Sequence, residues 1–189
     1  IGVYLYPVQQ FTFDEKYPGI ELEFKSDTRD AVLSGVLDYR LDAAFVSAPV
    51  NAKGLEKICI KEEQLVILTS SKGPNLQTLI ANEPLKIVVF DEGCIFRERL
   101  ESWLSHKGIL NYKSTTLNSI EGVINFVEAG LGISILPEEI VSKYYAGRNI
   151  KTYGLNKQLG TMNTILVFRK DGPQSKALQC FIDMHAQLL

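Results

Sequence analysis

The stretch Thr115–Pro137, TTLNSIEGVINFVEAGLGISILP, constrains the fold more than any other part of the sequence. Apolar residues recur at helical spacing over residues 120–127, which predicts a helix with one apolar face. Gly130 and Gly132 follow, at the kind of position where helices commonly end. Ile133–Leu136 is a short apolar run that is typical of a strand covered on both faces. A strand end, a helix and a further strand in direct succession favour an α/β fold.

Two adjacent polar residues are candidates to cap this helix. Asn118 and Ser119 can each accept a hydrogen bond from a backbone N–H of the first turn, and Glu121 follows Asn118 at capping-box spacing. Pro137 is predicted to open the next helix, because proline lacks the N–H that a first turn leaves unpaired anyway. A polar helix N-terminus beside a buried strand offers free N–H groups, which favours the binding of a small ligand.

Strand and helix signals alternate along most of the chain, and this order predicts mainly parallel sheets with helices on both faces. Ser26 or Asp27 is predicted to cap the first long helix. The two histidines, His106 and His185, are predicted to be structural or exposed to solvent. A second helix carries Phe96, Leu100, Trp103 and Leu104 on one face, and a closing helix carries Ala177, Leu178, Phe181, Ile182 and His185. The predicted strands are Ile20–Lys25, Ala43–Val46, Gln64–Thr69, Lys86–Phe90 and Thr164–Arg169.

Two polar, loop-like stretches divide the chain, Ser70–Pro84 and Ala146–Thr161. If the chain crosses between lobes at these points, one lobe comprises residues 1–70 plus 162–189 and the other comprises residues 71–161. Two crossing strands would then form a hinge, with a cleft between the lobes.

Composition narrows the function classes. A formal net charge of −2 over 189 residues gives no reason to expect direct binding to nucleic acid or to an anionic membrane. No apolar stretch reaches the roughly 18–20 residues that a membrane span requires, and no signal peptide is recognisable. The three cysteines, Cys59, Cys94 and Cys180, are scattered without a CxxC pair, which favours a reducing cytoplasm over a disulfide framework or a metal site. Cys59 and Cys180 are predicted to lie in the core.

Motifs for catalysis are missing from the sequence. It contains no GxSxG, HExxH or GxxxxGK motif and no GxGxxG after a strand, so we expect neither an enzyme nor a cofactor. The pair Gly130 and Gly132 is interpreted as a helix stop and not as a dinucleotide-binding fingerprint.

Four segments, in this order, resemble the effector-binding domain of LysR-type transcriptional regulators. The resemblance implies a two-lobed, periplasmic-binding-protein-like (type 2) α/β fold, in which each lobe has a mainly parallel sheet flanked by helices and a cleft lies at the hinge. The segments are YPGIELEFKSDTRDAVLSGVLDYRLDAAFVSAPV (Tyr17–Val50), GLEKICIKEEQLVILTS (Gly54–Ser70), FDEGCIFRERLESWL (Phe90–Leu104) and TLNSIEGVINFVEAGLGISILP (Thr116–Pro137).

The same resemblance implies a function. The chain would bind a small-molecule effector between its lobes and relay binding through the geometry of a homodimer, or of a homotetramer when full length. DNA would be bound only by an N-terminal winged helix-turn-helix, which no segment of this sequence resembles. Between Ile1-Gly2-Val3 and Tyr4-Leu5-Tyr6 the family has a longer Ser/Thr-rich loop that contacts the effector. Either residues are lost at this point of the sequence or this wall of the pocket differs.

Ten residues form the predicted effector site. Cys94 lies at a helix N-terminus, where N–H groups can lower a thiol's pKa, so it is a candidate pocket residue or peroxide-reactive thiol, or an ordinary packed cysteine. Arg97 either meets an anionic effector or pairs with Glu101 one turn later. The site residues are Val3, Ser47, Ala48, Gly93, Cys94, Phe96, Arg97, Thr116, Asn118 and Ser119; Thr28, Arg29, Leu37 and Tyr39 are predicted at the dimer interface.

Three other functions stay open at this point. A transport receptor of the same architecture would act outside the cytoplasm as a monomer. An enzyme would need acid–base groups in the cleft, where the sequence offers only Asp91, Glu92, Cys94 and Arg97. A thiol redox sensor would use Cys94, although the second cysteine that peroxide sensors of the family carry about two turns further on is missing here.

Overall fold

A computed structural model describes residues 11, 13–171 and 175–186, so the predicted site residue Val3 lies outside the described residues. The chain forms two compact units, unit 1 with Ile1–Glu62 and Asn163–Leu189, and unit 2 with Glu63–Met162. Both boundaries fall inside strands and not inside loops. The two units are defined by packing within the chain. They do not test the predicted lobe boundaries, 1–70 plus 162–189 and 71–161, which stay a prediction.

Unit 1 is built on an antiparallel strand pair. Strand β1 (Ala43–Ser47) pairs with β7 (Thr161–Arg169), with Ala43 opposite Phe168 and Ser47 opposite Thr164. Helix α1 (Arg29–Leu37) and the closing helix α7 (Lys176–Ala186) also belong to this unit. Side chains alternate between the two faces of the pair, and two apolar clusters result. One cluster contains Val36, Val46 and Ile165, and the other contains Leu166, Phe168 and Phe181.

Unit 2 combines parallel and antiparallel pairing. Strands β3 (Leu85–Val89) and β4 (Tyr112–Thr116) are parallel, and β5 (Ser134–Pro137) lies parallel to β3 through a bridge between Ile87 and Ile133. Strand β2 (Leu55–Ser70) pairs antiparallel with both β5 and β6 (Ile150–Gly154). The helices of unit 2 are α2 (Leu76–Ala81), α3 (Ile95–His106), α4 (Ile120–Glu128), α5 (Glu138–Tyr144) and α6 (Lys157–Gly160).

The prediction of mainly parallel sheets is therefore not confirmed in detail. The β1–β7 pair of unit 1 is antiparallel, and unit 2 combines parallel and antiparallel pairs. The long strand β2 runs antiparallel to β5 and β6, and β7 runs antiparallel to β1. Strands β3, β4 and β5 are joined in turn by α3 and α4, and they have the strand–helix–strand connections that parallel pairing requires.

Two local predictions near the start of the described chain are wrong. Residues 20–25 are not a strand: exposure alternates along them, as the sequence pattern predicts, but this segment has no assigned strand pairing. Alternation records which side chains are covered and does not by itself create a hydrogen-bonded ladder. The cap of α1 is Thr28, whose Oγ1 accepts from the N–H of Ala31, and not Ser26 or Asp27.

The structure confirms the apolar faces that were predicted for the long helices. Helix α3 buries Phe96, Leu100, Trp103 and Leu104, and α4 buries Val123, Ile124 and Val127. Strand β5 is buried along its whole length, and Pro137 directly precedes α5. Gly130 ends α4 with a φ of 75°, a left-handed conformation that glycine adopts without strain. One prediction for cysteine fails, because Cys59 is exposed and not in the core.

A close backbone approach fixes where β5 begins. A Cβ at Gly132 would lie 2.9 Å from the carbonyl oxygen of Lys86, on the neighbouring strand β3. We expect Gly132→Ala to lower the free energy of unfolding by about 1–3 kcal/mol, because the clash is with backbone, which cannot rotate away. Urea denaturation measures this. Gly147→Ala is the matched control, since its added Cβ meets no atom within 4 Å, and equal stability of the two variants would contradict the prediction.

His185 should make the stability of the protein pH-dependent. It is 0% exposed, its Nδ1 donates to the carbonyl oxygen of Phe181 at 2.7 Å, and its Nε2 has no partner in the described part of the chain. Burial lowers the pKa of His185, so the unfolded chain takes up a proton first as the pH falls. Stability should therefore be complete above about pH 6.5 and fall below it, by up to about 1.4 kcal/mol per pH unit.

The free energy of unfolding between pH 7 and pH 5 measures this effect. His185→Gln should flatten the pH dependence, and His106→Gln, at an exposed position, is the control for the loss of an imidazole. An unchanged slope in His185→Gln would show that burial of this ring does not set the acid sensitivity.

Candidate functional site

The parallel strands of unit 2 place the starts of two helices at one edge of the sheet. Val89, the last residue of β3, is the register partner of Thr116, the last residue of β4. Helix α3 begins shortly after β3, and α4 begins shortly after β4. Parallel strands share their carboxyl edge, so both helix N-termini lie there, where open α/β sheets commonly bind ligands. We call this region the carboxyl edge of unit 2.

At the start of α3, Gly93 and Cys94 form the turn into the helix. Gly93 has a φ of 80°, and the N–H of Cys94 donates to the carbonyl oxygen of Asp91 at 3.2 Å. Cys94 occupies the N-cap position and is partly buried. Burial raises the pKa of the Cys94 thiol, and the backbone N–H groups of Phe96 and Arg97 oppose this shift only in part. This direction disfavours the peroxide-reactive alternative for Cys94, and its place in the effector pocket stays a prediction.

The next two predicted residues have structural partners. Phe96 is buried and packs against Phe90, with ring centroids 5.8 Å apart. The Nε of Arg97 donates to Oε1 of Glu101 at 2.9 Å, so the predicted i,i+4 pair is present. This hydrogen bond raises the pKa of Arg97 and holds its guanidinium beside the first turn of α3.

At the start of α4, the structure selects one of the two candidate caps. The Oγ of Ser119 accepts from the N–H of Gly122 at 3.1 Å, so Ser119 is the N-cap. The predicted capping box between Asn118 and Glu121 is wrong, because the first helical residue comes one position later than that spacing assumes. Thr116 and Asn118 are exposed. Their polar side chains are therefore accessible at the carboxyl edge of unit 2.

Arg148 joins side chains along α4, from Glu121 in the first turn to Glu128 at the C-terminal end, in a cluster that the sequence did not reveal. Nε of Arg148 lies 2.6 Å from Oε2 of Glu128, and its two terminal nitrogens donate to Glu121 and Asn125. Oε1 of Glu128 accepts from the backbone N–H of Asn149 at 2.8 Å. That bond, aided by Arg148, lowers the pKa of Glu128 to about 2. Residues this far apart in sequence give no periodic signal that could have predicted the cluster.

The remaining predicted effector residues belong to unit 1. Ser47 is the last residue of β1 and is buried, and Ala48 follows it. The N–H of Ala48 donates to the carbonyl oxygen of Asn163 at 2.8 Å. Within the described part of the chain, the buried Oδ1 of Asn163 has no hydrogen-bond partner. A single asparagine inside a strand pattern carries no sequence signal of such a position.

The four predicted interface residues surround α1 in unit 1. Thr28 caps the helix and Arg29 donates to the carbonyl oxygen of Pro49. Leu37 and Tyr39 are exposed, and Tyr39 has a φ of 61°. The guanidinium of Arg169 lies 4.2 Å from the centre of the Tyr39 ring and donates to the carbonyl oxygens of Val36 and Leu41. Their role at a dimer interface stays a prediction.

Comparison with known proteins decides the family. The family model described as the LysR substrate binding domain matches residues 3–189. This chain belongs to the LysR substrate-binding domain family. The LysR domain described here is 33% identical over 172 residues to the uncharacterized regulator YusT of Bacillus subtilis, an alignment that covers 91% of this chain and 57% of YusT. The chain thus spans little more than half the length of the curated relatives it matches.

Solved structures show the fold of this LysR domain. The regulatory domain of CcmR from Synechocystis PCC6803, solved in complex with 2-PG, aligns with a TM-score of 0.84 at 18% identity, covering 99% of this chain and 92% of that one. The effector-binding domain of QuiR, solved in complex with shikimate, aligns with a TM-score of 0.79 at 18% identity, covering 98% and 90%. The two-lobed, periplasmic-binding-protein-like fold class is confirmed.

Two features are absent from the described residues of this LysR domain. Across residues 11, 13–171 and 175–186, no helix is both long and apolar enough to cross a membrane. Over the same residues, no group of three or more His, Cys, Asp or Glu side chains could hold a metal ion.

The raised pKa of Cys94 predicts a slow thiol. In the double variant Cys59→Ser, Cys180→Ser, Cys94 is the one remaining cysteine of the three. We expect it to react with iodoacetamide at pH 7 more slowly than free cysteine, because less thiolate is present. The rate measured against pH gives the pKa directly. A pKa below about 8.5, the value of an unperturbed thiol, would contradict the prediction and favour the redox sensor.

Proposed function

We propose that this chain is the ligand-sensing part of a LysR-type transcriptional regulator and that its effector contacts the carboxyl edge of unit 2. Membership of the LysR substrate-binding domain family supports the sensing role. The CcmR domain is solved in complex with 2-PG and the QuiR domain in complex with shikimate, so structural neighbours of this chain bind small organic molecules.

The proposed location of the site is inferred from one observation, the pairing of Val89 with Thr116. This register brings the starts of α3 and α4 to one edge, where backbone N–H groups of both first turns point out of the helices. Two helix dipoles then favour a negatively charged or strongly polar group at the same place. Gly93 and Cys94 contribute from the α3 side, and Thr116, Asn118 and Ser119 contribute from the α4 side.

The chemistry of this edge favours particular effectors. Arg97 is the one cation among the proposed unit 2 residues, and Glu101 already neutralises part of its charge. A dicarboxylate, which needs two strong cationic partners, fits this set poorly. A monoanion, an amino acid or a neutral metabolite fits it better. Phe96 is buried against Phe90, so we assign it to positioning the turn and not to contacting the effector.

Other parts of the proposal extend beyond unit 2. Ser47, Ala48 and Val3 stay proposed effector residues, and the cleft and hinge between lobes stay predictions. In the full-length regulator, effector binding would shift the geometry of a homodimer or homotetramer and thereby act on an N-terminal DNA-binding domain. A coupling of about 1–3 kcal/mol suffices, since it changes populations roughly 5–150-fold. We further propose that the protein acts in the cytoplasm, where DNA is, and catalyses no reaction.

A thermal-shift screen of amino acids, organic acids and aromatic acids tests the proposal. A compound that binds only the folded state stabilises it, by about 2.7 kcal/mol at a hundredfold excess over Kd. We expect a saturable rise in Tm that Thr116→Ala reduces, because the hydroxyl at the carboxyl edge is lost. Ser114→Ala is the matched control: it removes an exposed hydroxyl from the same face of β4, two residues away from the edge.

Each contrary outcome of the screen contradicts a specific part of the proposal. An equal loss of binding in Ser114→Ala would remove Thr116 from the site, and consumption of the compound would indicate an enzyme. A response to peroxide alone, abolished in Cys94→Ser, would replace the proposal with a redox sensor.

A further inference from the structure

Unit 1 contains a cavity of about 290 Å³, bordered by residues 20–25, by the start of β1 and by the start of α7. Within the described part of the chain, every residue that lines this cavity belongs to unit 1. The cavity borders β1 at Ala43, and Ser47 and Ala48, at the other end of that strand, do not line it. It is therefore separate from every described residue that is proposed to contact the effector.

The inner wall of the cavity is apolar and partly aromatic. The rings of Phe45 and Phe181 line it with their centroids 5.9 Å apart, and the buried side chain of Leu166 belongs to the same cluster. Leu22 and Ala43 also line the cavity and pack against this cluster, but they are only partly buried. The wall thus keeps apolar surface accessible, and covering such surface is favourable.

The volume of the cavity limits what it can hold. An apolar cavity of about 150 Å³ is large enough for benzene, and sites for drug-sized ligands begin near about 300 Å³. A volume of about 290 Å³ therefore suits a molecule of one or two rings. Aromatic rings fit this wall well, because they stack on or meet the edges of Phe side chains.

The charges at the mouth of the cavity select among such molecules. The charged residues that line it are all exposed, with three acids and two bases among the described residues: Glu21, Glu23, Asp42, Lys25 and Arg40. Both bases already have acidic partners, since Lys25 lies 3.2 Å from Glu23 and Arg40 lies 3.3 Å from Asp38. The mouth therefore favours a neutral or cationic ligand over an anion, and the preference is modest because exposed charges are screened.

We propose that this cavity is a small-molecule site in its own right, which binds a neutral or singly cationic aromatic molecule of one or two rings. The inference goes beyond the proposed function, because none of the residues at the carboxyl edge of unit 2 takes part in it. Its ligand also differs in chemistry from the monoanion or amino acid that suits the carboxyl edge. A bound ring would contact residues 20–25, β1 and α7 together and so stabilise unit 1.

Isothermal titration calorimetry with three named compounds tests the site. Indole is neutral, and 2-phenylethylamine and 3-phenylpropionate have similar shapes and opposite charges. We expect indole and 2-phenylethylamine to bind saturably with Kd below about 1 mM. The Kd of 3-phenylpropionate should be about threefold higher than that of 2-phenylethylamine. This difference should vanish in Glu21→Gln, which equalises acids and bases at the mouth, and persist in the control Glu56→Gln, an exposed position of unit 1 that does not line the cavity.

Filling the cavity locates the binding. Ala177, at the start of α7, lines the cavity and is half-buried, so Ala177→Leu should raise the Kd of indole at least about tenfold. Ala43→Val narrows the cavity from β1 and should weaken binding in the same direction. Ala186→Leu is the matched control, an exposed position on the same helix that does not line the cavity. The Tm of ligand-free Ala177→Leu should equal or exceed that of the wild type, since the added carbon atoms enter open space.

Four results would overturn the inference. The first is no saturable binding of indole or 2-phenylethylamine to the wild type, and the second is unchanged binding in both Ala177→Leu and Ala43→Val. The third is a marked fall in the Tm of Ala177→Leu, which would show that the space is too small for a ring. The fourth is loss of binding in Thr116→Ala with binding kept in Ala177→Leu, which would place the compounds at the carboxyl edge of unit 2 and leave the proposed function intact.

Discussion

The backbone contact between β3 and the start of β5 determines the layout of unit 2. The N–H of Ile133 donates to the carbonyl oxygen of Lys86, and the N–H of Val88 donates to the carbonyl oxygen of Ile133. Gly132 permits this approach, because any side chain there would meet the Lys86 backbone. Ser134 adds a buried hydrogen bond to the carbonyl oxygen of Val88. With β3, β4 and β5 held parallel in this register, the turns that follow them share one edge, and the proposed effector contacts depend on that alignment.

The sequence was a good guide where periodicity reports burial and a poor one where contacts join distant segments. The buried face of α3 could be predicted because one helix presents residues at fixed spacing to one core. The strand predicted at residues 20–25 failed because alternation does not specify a hydrogen-bonded neighbour. The predicted cap of α1 was wrong by one or two positions, because Thr28 is the N-cap and not Ser26 or Asp27. All three residues can cap a helix, and packing of the helix selects among them.

The same distinction between local signals and contacts between distant segments applies to the candidate site. Ser119, Thr116 and Cys94 could be selected from local signals, namely a cap, a strand end and a helix start. The chemical state of Cys94 could not, because the pKa of a thiol depends on how deeply the fold buries it. The Arg148–Glu128 pair was missed for a related reason. Its surroundings are assembled from residues far apart in the chain, so its neighbours are visible only in the folded structure.

The clamp at the C-terminal end of α4 has a consequence for the opposite end of that helix. Arg148 and Asn149 hold Glu128, and the hydroxyl of Ser70 donates to its backbone carbonyl oxygen. These contacts oppose fraying of the helix end, so we expect the conformational entropy of its nine residues to be lost during folding and not again when a ligand binds. Binding to a preorganised helix end retains more of its free energy as affinity. If the effector contacts Ser119 as proposed, the Arg148–Glu128 ion pair at the far end of α4 would lower the entropic cost of that contact.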